Sequence, residues 1–423
     1  MLLLMMACAG DGDATAPGGT GKTGKAKADA EPAAVPEPTV ELLTGPTRPA
    51  LLLTHAWFWT DDKGMPNPGP ARLDVWRSGA EGWERTRLED PDSNVFHKAV
   101  QYQGGILTIG ADGPYLKHWT NGDDGSWNDT VVWHHAEGWG GKYNRLRDIE
   151  IGDVDGDGVD ELVIATHDGG VVAVVEWQPG AEAQVTQLDA KADTFVHEVE
   201  IGDVDGDGTN EFFVTPSDRN KANVSQSGGV AMYSWDGTTY VRSWVEEPSQ
   251  GTHAKEVTVV DLDGDGVSEV FVVNEAEIDP VDKTKILKPV EVRQYSLADG
   301  AWSHTVIATI DDRQTRFLVP GDFDGDGNTE LIAAAFKTGL YHLTPGEDGW
   351  TSTRFEQASS GFEHAVFPAD LEGDGQLELY VAADDQRELK MYTWNAERKG
   401  FDKQLLGRLD SQVLTWNITA ASL

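Results

Sequence analysis

One acidic motif constrains this chain more than any other feature. Gly152-Asp153-Val154-Asp155-Gly156-Asp157-Gly158 recurs in the same shape from Asp203, Asp261, Asp322 and Asp370, at intervals of 48 to 61 residues. A period of that size marks a repeat architecture, in which each unit buries its apolar face only by stacking on its neighbours. Each copy follows a short alternating segment such as Val196 to Ile201. It precedes an apolar run such as Glu161 to Ala165 or Glu330 to Ala334, which reads as a strand by length and β-branched content. A third segment carries aromatics (Val171 to Trp177, Val230 to Trp235, Leu389 to Trp394), and a fourth follows a turn, as at Gly82-Trp83 and Gly349-Trp350. Four short strands per ~50 residues is the pattern of a propeller blade.

Two further units lack the acidic loop. One runs from Val95 through Ile106 to Ile109 and Tyr115 to Trp119, ending near Trp133. The other is divided between the termini: Ala50 to Thr54, Arg72 to Trp76 and Trp83 to Leu88 supply its second, third and fourth strands, and Val413 to Ser422 supplies the first. Such a divided blade ties a ring shut and leaves no open strand edge at the seam. The expected fold is therefore all-β: a seven-bladed β-propeller with four-stranded antiparallel blades, one of them closed by strands from both termini, over residues 46–423.

In the acidic loops three carboxylates alternate with residues that turn the backbone, the glycines permit left-handed φ, and a ninth residue closes the shell. All-oxygen donors of this kind suit a hard cation, calcium better than the smaller magnesium. The five expected sets are Asp153, Asp155, Asp157 and Glu161; Asp203, Asp205, Asp207 and Glu211; Asp261, Asp263, Asp265 and Glu269; Asp322, Asp324, Asp326 and Glu330; and Asp370, Glu372, Asp374 and Glu378. About five calcium ions are expected, with the last set weakest because Glu372 carries an extra methylene. No Glu stands at position twelve of a loop, which argues against an EF-hand.

These loops, with the strands around them, resemble the FG-GAP or VCBS-type repeats of integrin α-subunit-like seven-bladed propellers. The resemblance implies that each loop joins the first and second strands of a blade and binds calcium through the carboxylates just named. It also implies a role in binding or adhesion, since members of the family are mostly such modules, with some lectins and lyase relatives.

Strand alternation then puts the calcium loops on one face and the long insertions on the other. Trp57, Trp59, Trp133 and Trp139 lie in those insertions and break the blade pattern of the other tryptophans, which makes them ligand candidates. Six residues before the first Asp of each loop, or its equivalent, stand His97, Arg147, His197, Lys255, Arg316, His364 and Trp416. On innermost strands they would ring the channel mouth, where they would either receive an anionic group such as a uronate or pair with acids of neighbouring blades. The adjacent His134 and His135 would point apart on a strand, against a shared metal.

The 72 Asp and Glu against 33 Lys and Arg give a formal charge of −39, which disfavours nucleic acid and anionic membrane surfaces. The single cysteine, Cys8, excludes an internal disulfide and follows a short apolar run, as in a lipoprotein leader. Residues 1–8 are expected to be that leader and 9–45, rich in Gly, Ala, Pro and Thr, a disordered tether. The Gly-rich stretch from Ala16 to Thr23 imitates a phosphate-binding loop without the strand and helix such a loop needs. The expectation is an exported, monomeric, calcium-binding module, tethered by Cys8 at the outer membrane or cell surface, or else secreted or periplasmic. It would be non-enzymatic, with a protein or polysaccharide ligand; the alternatives are a carbohydrate-binding lectin and a polysaccharide lyase-like enzyme on the same scaffold.

Overall fold

The computed structural model describes residues 36–80, 82–135, 145–219, 225–249, 251 and 253–423. Cys8, the leader, most of the tether and Trp139 lie outside them. Among the described residues every regular element is a β-strand, and every ladder is antiparallel. Four separate sheets of four strands, each paired in simple sequence order, span residues 194–249, 254–310, 315–356 and 366–408. Glu277–Ile278 and Ile286–Lys288 pair as a separate two-stranded sheet, and the remaining strands form one larger sheet. It consists of a four-stranded ladder over 95–134, another over 145–189, and a third over 49–90, joined by the single bridges Ala56↔Val95 and Ala111↔Arg145. The third ladder is completed by Val413–Ser422, which pairs with Pro49–Thr60 from Pro49↔Ser422 to Trp57↔Val413.

The cores lie between units rather than within them, as expected when each sheet is apolar on both faces. Phe271, Val273 and Val292 of one sheet pack against Leu318, Leu331 and Ala333 of the next. Val163 and Val174 meet Phe212 and Val214 in the same way. Leu51, Leu53, Trp76 and Ile418, from the two ends of the chain, pack against Tyr380, Ala382 and Leu389 of the last sheet. Asp410, in the connection between them, accepts from Arg72 at 3.1 Å, Arg85 at 2.9 Å and Arg87 at 2.7 Å.

The first strands of successive units lie side by side, beginning with Val95–Tyr102, Arg145–Gly152 and Thr194–Gly202. Ala254–Val260, Thr315–Gly321 and Val366–Ala369 follow, then Val413–Ser422, which returns to Val95–Tyr102. The architecture is all-β and propeller-like. One segment departs from expectation. Residues 39–43, assigned to the tether, lie along the outer edge of the first unit: Val40 bridges Leu88, the Glu41 amide donates to the Arg87 carbonyl, and Leu43 is buried.

Candidate functional site

The acidic loops are near-copies of one another. In each, both glycines take left-handed φ, from 73° to 91°, a region that disfavours any side chain. The first Asp caps the turn: Asp153 Oδ1 accepts from the Gly156 amide at 2.8 Å and Oδ2 from Gly158 at 3.0 Å, a pattern repeated at Asp203, Asp261, Asp322 and Asp370. The closing Glu reaches back to the amide after that Asp, at 2.9 Å for Glu330 and 3.1 Å for Glu161.

Carboxylate oxygens converge to within 4.8 Å in all five loops, but the complete expected quartet does so only at Asp322, Asp324, Asp326 and Glu330. The other groups are Asp153, Asp155 and Glu161; Asp203, Asp205 and Glu211; Asp261, Asp263 and Asp265; and Asp370, Asp374 and Glu378. Asp157, Asp207, Glu269 and Glu372 stand outside them. Burial, aided by the neighbouring loop carboxylates, pushes Glu161 and Glu211 up to about 7 against the pull of their amide hydrogen bonds. Glu330 is fully buried, and its Oε1 has no hydrogen-bond partner although Oε2 accepts from Phe323. A buried carboxylate oxygen left unpaired beside three others fits a cation, and the all-oxygen donor set fits calcium.

A second constellation forms where the first strands converge. The pairing register skips His97, Arg147, Lys255, Arg316 and Trp416, and in the fourth unit it skips His197 with Glu198, so each strand carries a β-bulge at the same level. A bulge re-aims a side chain that would otherwise lie on a sheet face. His97 stands 4.8 Å from Trp416 and 6.2 Å from His167, ring centre to ring centre. His167 Nε2 is 3.1 Å from His197 Nδ1, and His197 Nε2 contacts both Lys255 Nζ and, at 3.2 Å, Ser217 Oγ. Across the cluster Glu363 accepts from Arg147 at 3.3 Å and from Arg316 at 3.0 Å, while Glu275 accepts from Arg316 at 2.7 Å and faces His253 at 3.1 Å. The Arg147 guanidinium lies 5.3 Å over Trp416. Burial first, then the charges of Arg147, Arg316 and their neighbours, hold His97, His167 and His197 far below the ordinary imidazole value. Burial likewise lowers Lys255 well below an ordinary lysine, with Glu275 opposing and Arg316 and Arg147 reinforcing.

His364 does not join this cluster. It has φ 56°, so Glu363 takes the inward position, and its ring is held by Ser359 Oγ at 2.8 Å and the Ala335 carbonyl at 2.7 Å. The tryptophan candidates scatter. Trp57 is covered by Gly69 and by the Arg72 guanidinium at 4.4 Å, Trp59 Nε1 donates to the Pro68 carbonyl, and Trp133 packs on His135. His134 stacks on Tyr115, and His135 is buried, so the two do point apart. A cavity of about 140 Å³ opens between the third and fourth units, lined among others by Val172, Tyr233, Arg242, Trp244 and Ser217. Ser217 is common to it and to the His197–Lys255 contact.

Sequence reasoning missed an acidic layer directly beyond the bulges, in which Asp148 and Glu256 are buried and Glu150, Glu198 and Glu200 half-buried. Lys98 Nζ contacts Asp148 at 2.9 Å and also Glu150, and burial together with the nearby carboxylates raises Glu198, Glu200 and Glu256 well above the ordinary range. The available signal was acid at alternate positions of successive first strands.

The class that this fold and these loops define is an all-β repeat protein of propeller-like form. More particularly, the chain carries FG-GAP-like repeats, matched at residues 153–214, 203–272 and 322–381. No curated protein matches the sequence. Among solved structures it is similar to a candidate 6-phosphogluconolactonase of Bacteroides fragilis, at 12% identity and TM-score 0.54 over 88% of this chain and 98% of that one. It is also similar to the periplasmic gluconolactonase PpgL of Pseudomonas aeruginosa, at 11% identity and TM-score 0.51 over 88% and 99%. The apocarotenoid oxygenase of Synechocystis gives 10% identity and TM-score 0.51 over 92% and 95%. At these identities the likeness is one of fold. It overturns the expectation of a non-enzymatic chain, because the fold is shared with a gluconolactonase and an oxygenase. The architecture therefore gives no ground for excluding catalysis.

Proposed function

We propose that this chain is a calcium-stabilised, seven-bladed propeller acting as a ligand-binding module. It is exported and held at the cell surface through Cys8, and its ligand is a protein or a polysaccharide. The observation that carries the reading is the Glu330 cluster, in which a fully buried carboxylate oxygen without a partner sits among three loop aspartates in a loop repeated five times in register. The seven-bladed ring is supported by the apolar clusters, each of which spans consecutive units, and by the packing of the last unit on the first. Metal ions in the loops would cancel the mutual repulsion of their carboxylates and so fix the turns that join first and second strands. Metal analysis of the purified chain tests this: about five calcium ions per chain are expected, and less than one at millimolar calcium would remove the basis of the reading.

The likeness in fold to a gluconolactonase favours a second reading, in which the bound molecule is turned over. Lys255, which burial lowers well below an ordinary lysine, and the His167–His197 pair are groups that can accept a proton. Product formation from sugar lactones or acidic polysaccharides, abolished by His197→Ala, would establish it.

A further inference from the structure

We propose that the bulge residues form a binding site for one small oxyanion, a carboxylate or phosphate group carried by a soluble molecule, with Arg147 and Trp416 as its direct donors and His167, Lys255 and Arg316 around it. Six first strands break register at one level, and each break holds a residue with side-chain nitrogen, His97, Arg147, His197, Lys255, Arg316 or Trp416, with Glu198 also skipped beside His197. Bulges needed only to bend strands would not demand nitrogen at every copy.

Three of the nitrogens gathered here have no partner although they are buried: Arg147 Nε, Trp416 Nε1 and His167 Nδ1. Their residues are only 7%, 4% and 5% exposed. Arg147 Nε and Trp416 Nε1 are donors in every state, and His167 Nδ1 is one in the tautomer whose Nε2 accepts from His197; buried donors are almost always satisfied, so these point to a missing acceptor. They also lie close together, since Arg147 covers the Trp416 ring at 5.3 Å and His97 bridges Trp416 to His167.

Charge points the same way. Glu363 is divided between Arg147 and Arg316, and Glu275 between Arg316 and His253. Arg147 and Arg316 are thus matched by two carboxylates, and burial first, then the nearby cationic groups, lowers Lys255 and the three histidines from their ordinary values. An anion among them opposes that lowering, whereas a cation would add to it. The inference deepens the reading of this chain as a binding module but not its calcium loops, which are separate carboxylate groups.

The test is isothermal titration calorimetry on the full chain in calcium, with D-galacturonate and inorganic phosphate as probes and D-galactose as the neutral control. Saturable one-to-one binding of one probe is expected, galacturonate alone indicating a carboxylate site and phosphate alone a phosphoryl site. Trp416→Phe, which removes the indole N–H together with one of the two fused rings, should weaken it about threefold or more, and Arg147→Gln about tenfold or more. Should Arg147→Gln not fold, Trp416→Phe decides with Arg147→Lys. Heat no greater than that of galactose up to about 10 mM of either probe, or unaltered binding by Trp416→Phe and the folded Arg147 variant, overturns the proposal. Calcium content measured on the same samples separates the two readings, because oxyanion binding without bound calcium would sink the metal loops alone.

Discussion

Asn210 reaches back from one repeat to the loop of the preceding one, its Nδ2 donating to the backbone carbonyl of Asp153 at 2.9 Å. The next pair repeats the relation through the main chain, the Ser268 amide donating to the Asp203 carbonyl at 2.6 Å. Adjacent acidic loops are thus braced against each other. Asn210→Ala removes one neutral hydrogen bond, worth about 1 kcal/mol, and frees the residue that opens the Asp153 loop. Melting should fall by on the order of 1–2 °C for a chain of this size, and a calcium titration should show one site weakened while the rest hold. An unaltered titration would mean that the brace is incidental to the metal.

Removing calcium should have a larger effect. At ~4 Å, each carboxylate pair costs on the order of 1 to 4 kcal/mol, depending on how much water reaches it, and every loop holds at least three such groups. Dialysis against a chelator is expected to lower the melting temperature by on the order of 10 °C, with calcium and not magnesium restoring it. Glu330→Gln should lose affinity at its own loop alone. Calorimetric scans that superimpose with and without chelator would show the loops to be solvated turns.

The loops and the divided unit were legible because local rules set them: spaced Asp and Gly dictate the turn, and Val413 to Ser422 carries the pattern of a first strand. Counting six residues back from each loop found the bulge level in the strands that hold His97, Arg147, His197, Lys255, Arg316 and Trp416. It failed at His364, because the backbone enters that strand through positive φ and turns Glu363 inward instead. Trp57 looked available because it breaks the repeat, yet Gly69 and Arg72, brought over it by the fold, cover it. Glu150, Glu198 and Glu200 alternate with apolar residues along their strands, a pattern that does not distinguish a solvated face from a half-buried one. The packing of first strand against first strand half-buries them, and no single repeat reveals that packing.

Ile418 ties the two ends of the chain together. It is 1% exposed and packs with Leu51, Leu53 and Tyr380. Ile418→Ala should cost about 2–5 kcal/mol, the range for deleting a buried aliphatic side chain. Ending the chain at Gln412 removes the whole strand opposite Pro49–Thr60 and bares an apolar edge. That product should elute as aggregate and lose its cooperative melt. A truncated chain that stays monomeric and melts as before would break the argument that the ends close the fold.

Asp384 gives the chain a pH dependence of predictable sign. It lies half-buried beside Val413–Ser422, accepting from the Thr415 amide at 2.8 Å and from Thr415 Oγ1 at 2.7 Å. Burial, opposed by those two bonds and reinforced by Asp385 and Glu363, lifts it from 3.8 to about 7. Between those values the folded chain holds a proton that the unfolded chain has released. Its stabilising contribution is therefore complete below the unfolded value and is lost as pH rises through about 7. Asp384→Asn keeps an acceptor for the amide and a donor for the hydroxyl without the charge. The variant should match its parent near pH 3, exceed it by about 1–2 kcal/mol near pH 5 and by on the order of 2–4 kcal/mol near pH 8. Melting both proteins across that range checks the claim. A difference that stays flat with pH would show that Asp384 does not change protonation between the folded and unfolded chains, and the burial argument for this carboxylate would fall with it.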